Sequence, residues 1–294
     1  MSETMARKSN LDKLKEAMNK KNSGGFKYWK PQDNGKYLIR FLPNPDPNGV
    51  FFKGALQHKV GENYYFCPRT EGQPCPICEK YNKLWKETKN PTAAQTLARA
   101  IKPKEQYLYN IVVRQELDKV NENPEKVFVY MAGKKLHGAL MNYFWDEEYG
   151  DLTDCDEGYD FILVKEDDPT GSGFPYYLNS KPRKNPSKLF AEDGTIEKVL
   201  QEYKNLDKEI EILPYKELKD ILVRFLSTEY EGGEQYLDPA DAKALGLAAA
   251  RAEAANAPAP AATSEAKAPK PAAKADDAAD DFEKDLLASL EEDE

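Results

Sequence analysis

Between residue 26 and about residue 235 the apolar positions fall into short runs separated by Gly, Pro and Asn. Runs at 37–42, 50–52, 64–66, 107–113, 127–130 and 161–164 are rich in Val, Ile, Tyr and Phe and read as strands. Asn34-Gly35, Pro43-Asn44-Pro45, Gly61 and the stretch from Asn121 to Pro124 supply the turns. Helical spacing is found at 80–86, 136–145, 196–206 and 216–226; the last places Leu218, Ile221, Leu222 and Phe225 on one face. These strands do not alternate regularly with helices. A mainly β barrel with added helices, an α+β class, is therefore expected rather than a doubly wound parallel sheet.

The pattern changes at both ends. Residues 1–24 form a basic arm carrying Arg7, Lys8, Lys13, Lys15, Lys20 and Lys21, with Leu11, Leu14 and Met18 at helical spacing and a stop at Ser23-Gly24-Gly25. The core is expected to run from 25 to 240. From 241 to 274 the chain is Ala- and Pro-rich, which reads as an extended linker. Residues 275–294 hold ten acidic groups and one base, a disordered acidic tail in which Phe282, Leu286, Leu287 and Leu290 form a small apolar stripe. The formal net charge of −9 equals the net charge of that tail, so the remainder is neutral. Residues 1–140 nevertheless hold 25 basic and 14 acidic groups, leaving a basic first half to oppose the acidic end. Apolar runs fall far short of the ~20 residues of a spanning helix, and the first residues lack the apolar block of a signal peptide. A soluble intracellular protein without a membrane partner is expected.

The densest chemical pattern is His58-(x8)-Cys67-(x7)-Cys75-Pro76-Ile77-Cys78, which gathers three of the four cysteines and one of two histidines within 21 positions. Thiolate and imidazole donors suit Zn²⁺, and three cysteines with one histidine fill all four tetrahedral positions. That predicts one structural zinc, in a small subdomain at about 55–90, with no vertex left for a reacting water. A thioredoxin-like Cys75–Cys78 redox pair is the competing reading, but it lacks a βαβ frame and leaves His58 and Cys67 without a role. Cys155 reads as an ordinary free thiol, and His137 as a surface or packing residue.

Aromatic residues number 32, of which 17 are Tyr. They interleave with cations in three stretches. One contains Lys102, Lys104, Tyr107, Tyr109 and Arg114; another Tyr130, Lys134 and Lys135; the third Tyr176 and Tyr177, followed by Lys181, Arg183 and Lys184. Single-stranded nucleic acid calls for this mixture, because cations follow the phosphates while rings take unstacked bases. Alternation in Tyr107-Leu108-Tyr109 puts both tyrosines on one face. The tyrosine face is expected to be the cleft and Leu108 the core side. Neither a Walker loop nor a Ser/His/Asp arrangement is present, so no catalytic residue is expected.

In the order of its parts the chain resembles the single-stranded-DNA-binding, helix-destabilising proteins of T4-like bacteriophages. The resemblance rests on Tyr37-Leu38-Ile39-Arg40-Phe41-Leu42-Pro43, on His58, Cys67, Cys75 and Cys78, on Asn110-Ile111-Val112-Val113, and on Lys126-Val127-Phe128-Val129-Tyr130 with Gly133-Lys134-Lys135. It implies an OB-fold core bearing the zinc subdomain. It also implies sequence-non-specific, cooperative coating of single strands in replication, recombination and repair, in the cytoplasm of an infected bacterial host. Arg7, Lys8 and Ser9 stand where that family's arm joins neighbouring molecules along the DNA, and the tail where it meets replication and recombination proteins. An RNA-binding regulator with the same cleft, or a thiol-disulfide oxidoreductase, are the alternatives.

Overall fold

The computed structural model describes residues 28–86, 91–171 and 173–245. The arm at 1–24, the acidic tail and all but the first residues of the linker lie outside the described residues.

Nine strands form one curled antiparallel sheet, a half-barrel: β1 (Gly35–Phe41), β2 (Phe52–Val60), β3 (Asn63–Phe66), β4 (Lys104–Glu116), β5 (Lys119–Val120), β6 (Val127–Gly133), β7 (Phe161–Asp167), β8 (Pro175–Tyr176) and β9 (Lys181–Pro182). The expected α+β, barrel-type core is present. β4 is the spine. One of its edges takes β2 along 104–109 and then β1 along 111–116; the other takes β6 and then β5. The change of partner falls at Asn110, which is fully buried. Its side-chain amide donates to the Lys204 carbonyl at 2.9 Å and its Oδ1 accepts from the Lys204 N–H at 2.9 Å. The Leu42 N–H donates to the Asn110 carbonyl at 3.0 Å. An interior amide with all three bonds made holds the bend without an orphaned polar group.

The helices are α1 (Pro76–Trp85), α2 (Pro91–Ile101), α3 (Lys134–Phe144), α4 (Asp193–Gln201), α5 (Leu206–Glu209), α6 (Tyr215–Arg224) and α7 (Pro239–Ala244). The single helix expected at 196–206 is two. α4 stops at Gln201, and Asn205 caps α5 by accepting from the N–H groups of Asp207 (3.0 Å) and Lys208 (3.3 Å).

Both faces of β4 are covered. Tyr109, Ile111 and Val113 pack with Tyr37, Ile39, Phe41, Leu140 and Phe161, whereas Leu108 packs on the far side with Ala55, Phe66, Val129 and Leu206. The expected division into a tyrosine cleft face and a leucine core face therefore does not hold at Tyr109: a central strand sandwiched between helices buries both rows.

A second core is helical. Cys67, Cys75, Cys78 and Ile77 pack with Leu84 of α1, Leu97 and Ile101 of α2, and Leu218, Leu222 and Phe225 at the C-terminal side of the chain. The residues sharing this core thus extend well beyond the 55–90 span. Pro76 opens α1 at its first position, where a missing N–H costs nothing. Among the described residues no helix is long and apolar enough to cross a membrane.

Candidate metal centre and nucleic-acid interface

His58 is carried by β2, Cys67 follows β3, and Cys75 and Cys78 open α1. All four are buried, and their ligand atoms lie within 4.8 Å of one another. The close pairs are Cys67 Sγ to Cys78 Sγ at 3.5 Å, Cys75 Sγ to His58 Nε2 at 3.5 Å and Cys78 Sγ to His58 Nε2 at 3.4 Å. Metal–ligand bonds of about 2.0–2.3 Å give tetrahedral edges of roughly 3.4–3.8 Å, and these three pairs have that spacing. His58 Nδ1 lies 2.7 Å from the Ile101 carbonyl. A proton on Nδ1 satisfies that contact and turns the Nε2 lone pair toward the sulfurs, the outer-shell bond typical of a metal-bound imidazole.

Electrostatics favour the same conclusion. Contacts from the Cys67 and Cys75 thiols pull Cys78 below the usual thiol range, while hydrogen bonds to Cys75 and Cys78 push Cys67 up. Three sulfurs this close cannot all ionise unless a cation sits among them. The residues therefore form a group that can hold a metal, and the isolated dithiol of the redox reading is not what the structure contains. Cys155 is a half-buried free thiol, raised by burial.

The expected DNA contacts divide into two sets. Lys102, Lys104, Lys134 and Lys135 are exposed and gather at one end of the β4–β6 pair, where Gln106 registers with Gly133. The Lys104 ammonium lies 5.3 Å from the centre of the Phe174 ring, which is 64% exposed. Lys134 pairs with Glu105 at 3.4 Å. Tyr107 is half-buried in the same place, donating from its hydroxyl to Glu105 Oε2 at 3.0 Å. Tyr176 is half-buried on β8.

The other set is committed to packing. Tyr109 is 0% and Tyr130 3% exposed, so neither offers a ring face to a base. Burial raises both hydroxyls. Tyr109 stays protonated, its hydroxyl hydrogen-bonded with His137 Nδ1, while Trp29 packs edge-on against Tyr130 at 5.7 Å. Tyr177 packs against the same core, its hydroxyl pushed up to about 12 by burial and by Tyr37. Arg114, at the far end of β4, donates to the Leu189 carbonyl, lies 3.5 Å from Asp160 and covers the Phe190 ring. Its charge holds a loop down, and Arg114 is withdrawn from the contact set together with Tyr109 and Tyr130.

Sequence reading passed over other ring–cation pairs. Trp85 is 47% exposed, stacks on Tyr81 and lies 5.8 Å from the Arg99 guanidinium; Tyr64 is 58% exposed with Lys59 at 5.9 Å. Trp85 and Arg99 are 14 positions apart, and only the packing of α1 on α2 brings them together. Lys59 and Tyr64 pair across β2 and β3 in register, a signal that was available at Gly61.

Residues 33–226 match the family described as gp32 DNA binding protein like. The chain belongs to this family. It is accordingly a single-stranded-DNA-binding protein of the T4 gp32-like kind and not an enzyme. The matched span takes in the half-barrel, all four metal-type ligands and most of the helical core. A search of curated proteins finds no match. In this gp32-like chain Lys102, Lys104, Lys134 and Lys135 are exposed near Phe174, and Trp85 and Tyr64 are exposed in the helical region and on the β2–β3 hairpin.

Proposed function

We propose that this protein coats single-stranded DNA cooperatively and without regard to sequence during phage replication, recombination and repair, in the cytoplasm of the infected bacterium. The observation that carries the reading is the gathering of exposed cations with rings at one end of the β4–β6 pair: Lys102, Lys104, Lys134 and Lys135 with the exposed Phe174 and the half-buried Tyr107. Cations set on this surface attract phosphates at any sequence, and rings accept any base. The buried His58, Cys67, Cys75 and Cys78 hold one structural Zn²⁺, which supplies cross-linking rather than chemistry. The basic arm, through Arg7, Lys8 and Ser9, joins neighbouring molecules on the lattice. The acidic tail, on its Ala/Pro linker, meets replication and recombination proteins and competes with DNA for the basic surface.

The test is binding to oligo-dT of increasing length by the full chain and by a chain lacking residues 1–24. Affinity per site that rises steeply with length in the full chain, and stays flat in the shortened one, supports coating through the arm. Equal length dependence in both removes the arm from the account.

A further inference from the structure

The turn between β3 and α1 carries an arginine whose place is fixed by the backbone around it. Leu56 of β2 holds this turn from both sides: its carbonyl accepts from the Cys67 N–H at 2.8 Å, and its N–H donates to Thr70 Oγ1 at 2.9 Å. A single 3-10 turn, Pro68–Glu71, closes with the Thr70 N–H donating to the Cys67 carbonyl at 2.9 Å and the Gln73 N–H to the Pro68 carbonyl at 3.1 Å. Gly72 ends it at φ 73°, a left-handed conformation that glycine adopts without strain. Arg69 therefore extends from an anchored piece of chain.

From there it reaches two of the sulfurs. Its backbone hydrogen-bonds Cys67, and its guanidinium Nη1 lies 3.9 Å from Cys78 Sγ, a long hydrogen bond to sulfur. Arg69 is exposed while Cys78 is 3% exposed, so the guanidinium meets this sulfur from the solvent side. Cys78 is also the sulfur with two close ligand neighbours, Cys67 Sγ at 3.5 Å and His58 Nε2 at 3.4 Å. Among the described residues, no carboxylate pairs with Arg69. Charge gives the contact a purpose. Three thiolates and a neutral imidazole around Zn²⁺ leave one net negative charge on a buried centre. Such a charge is costly to bury alone, and a cation at hydrogen-bonding distance offsets the cost. Arginine suits the position because its guanidinium is weakly hydrated and presents its N–H donors in a fixed fork.

We infer that Arg69 tightens metal retention without touching the ion, its guanidinium compensating the excess thiolate charge at Cys78. This rests on the zinc reading of His58, Cys67, Cys75 and Cys78. Arg69 serves the centre and not a phosphate, although it stands on the surface of a DNA-binding protein.

The test uses the full-length protein as wild type, Arg69→Gln and Arg69→Lys, each loaded with Zn²⁺ or with Co²⁺. Competition with a chromophoric chelator reads the metal affinity. Arg69→Gln is expected to hold Zn²⁺ about 10-fold more weakly, the low end for a residue that contacts a metal ligand, because the arginine is exposed. Arg69→Lys keeps the charge and should recover most of that loss. The gap between wild type and Arg69→Gln should narrow at high salt, as a charge effect near the surface must and a packing effect would not. In the Co²⁺ form the sulfur-to-metal charge-transfer band should move to lower energy in Arg69→Gln, since a sulfur relieved of a hydrogen bond is the better electron donor. Unchanged Zn²⁺ affinity in Arg69→Gln overturns the inference, as does an equal loss in Arg69→Gln and Arg69→Lys. A wild-type protein that takes up neither ion overturns the metal reading itself, which keeps the two failures distinct.

Discussion

The two halves of this molecule solve the problem of burying polar chemistry in opposite ways. In the helical half, His58 and three thiols converge on one point, and their contacts make sense when a cation cross-links them. In the half-barrel, no such centre exists among the described residues, and buried polar groups are distributed. Asn110 bonds Lys204, Tyr109 bonds His137, and Arg40 donates to the carbonyls of Asp154 at 2.6 Å and Ser187 at 2.9 Å. The difference shows why ring-rich sequence is a poor guide to a binding face. A sheet with helices on both sides consumes rings and cations as structure, and only those at its ends and on its hairpins are left for a ligand.

The comparison breaks most visibly if metal is removed. Chelation, or Cys78→Ser, is expected to loosen α1 and α2 while the half-barrel keeps its fold. Metal-linked folding energy in small zinc domains is on the order of 10 kcal/mol. Limited proteolysis with metal analysis would find new cleavage confined to about 60–101; cleavage spread over both halves would contradict the division. Next comes Arg40, which is fully buried and whose guanidinium also lies 3.7 Å from Asp160. Arg40→Met strands two carbonyls and leaves Asp160 with Arg114 as its remaining cation, and a cost of about 3–5 kcal/mol in chemical denaturation is expected, with metal content unchanged.

Exposed rings should behave in the reverse way. Trp85→Ala and Phe174→Ala are each expected to cost about 1–3 kcal/mol of single-strand affinity with the melting temperature unaltered. Lys134→Gln should lower the slope of log affinity against log salt by about 0.7, one phosphate's share. Tyr109→Phe sharpens the contrast from inside: loss of its bond to His137 should cost about 1 kcal/mol of stability and leave the salt slope alone.

The smallest effect concerns pH. Burial holds His137 neutral below its ordinary pKa, so the unfolded chain takes up a proton that the folded chain refuses. The stability it contributes is full above about pH 6.5 and is lost as pH falls below it. Denaturation at pH 7 and pH 5 should show a smaller acid loss in His137→Phe than in wild type.

Much of this was legible in the sequence. The strands at β1, β3, β4, β6 and β7 follow from apolar runs between turn residues, and the ligand set from the spacing of His58, Cys67, Cys75 and Cys78. β2 was seen only at its first residue, because Lys53, Gly54, Gln57, His58 and Lys59 interrupt the apolar pattern of a strand that serves two different cores. α2 was missed because its buried face is built largely from Ala94, Leu97 and Ala98, a weak hydrophobic stripe. Burial of Tyr109 and Tyr130 was not readable from alternation, which gives faces but not what covers them. His137 gained its place only through α3 folding back on β4, a contact between residues 30 positions apart in the chain.

The central claim is that this surface binds unpaired strands through charge and ring stacking. Its most direct test is a titration of the metal-replete protein with oligo-dT and with an equal-length mixed-sequence strand lacking secondary structure. Intrinsic Trp and Tyr emission is followed over a range of salt concentrations. Quenching with both strands, similar affinities and a steep salt slope are the predicted result. Absence of binding at low ionic strength, or an affinity that depends on base sequence and not on salt, would contradict it.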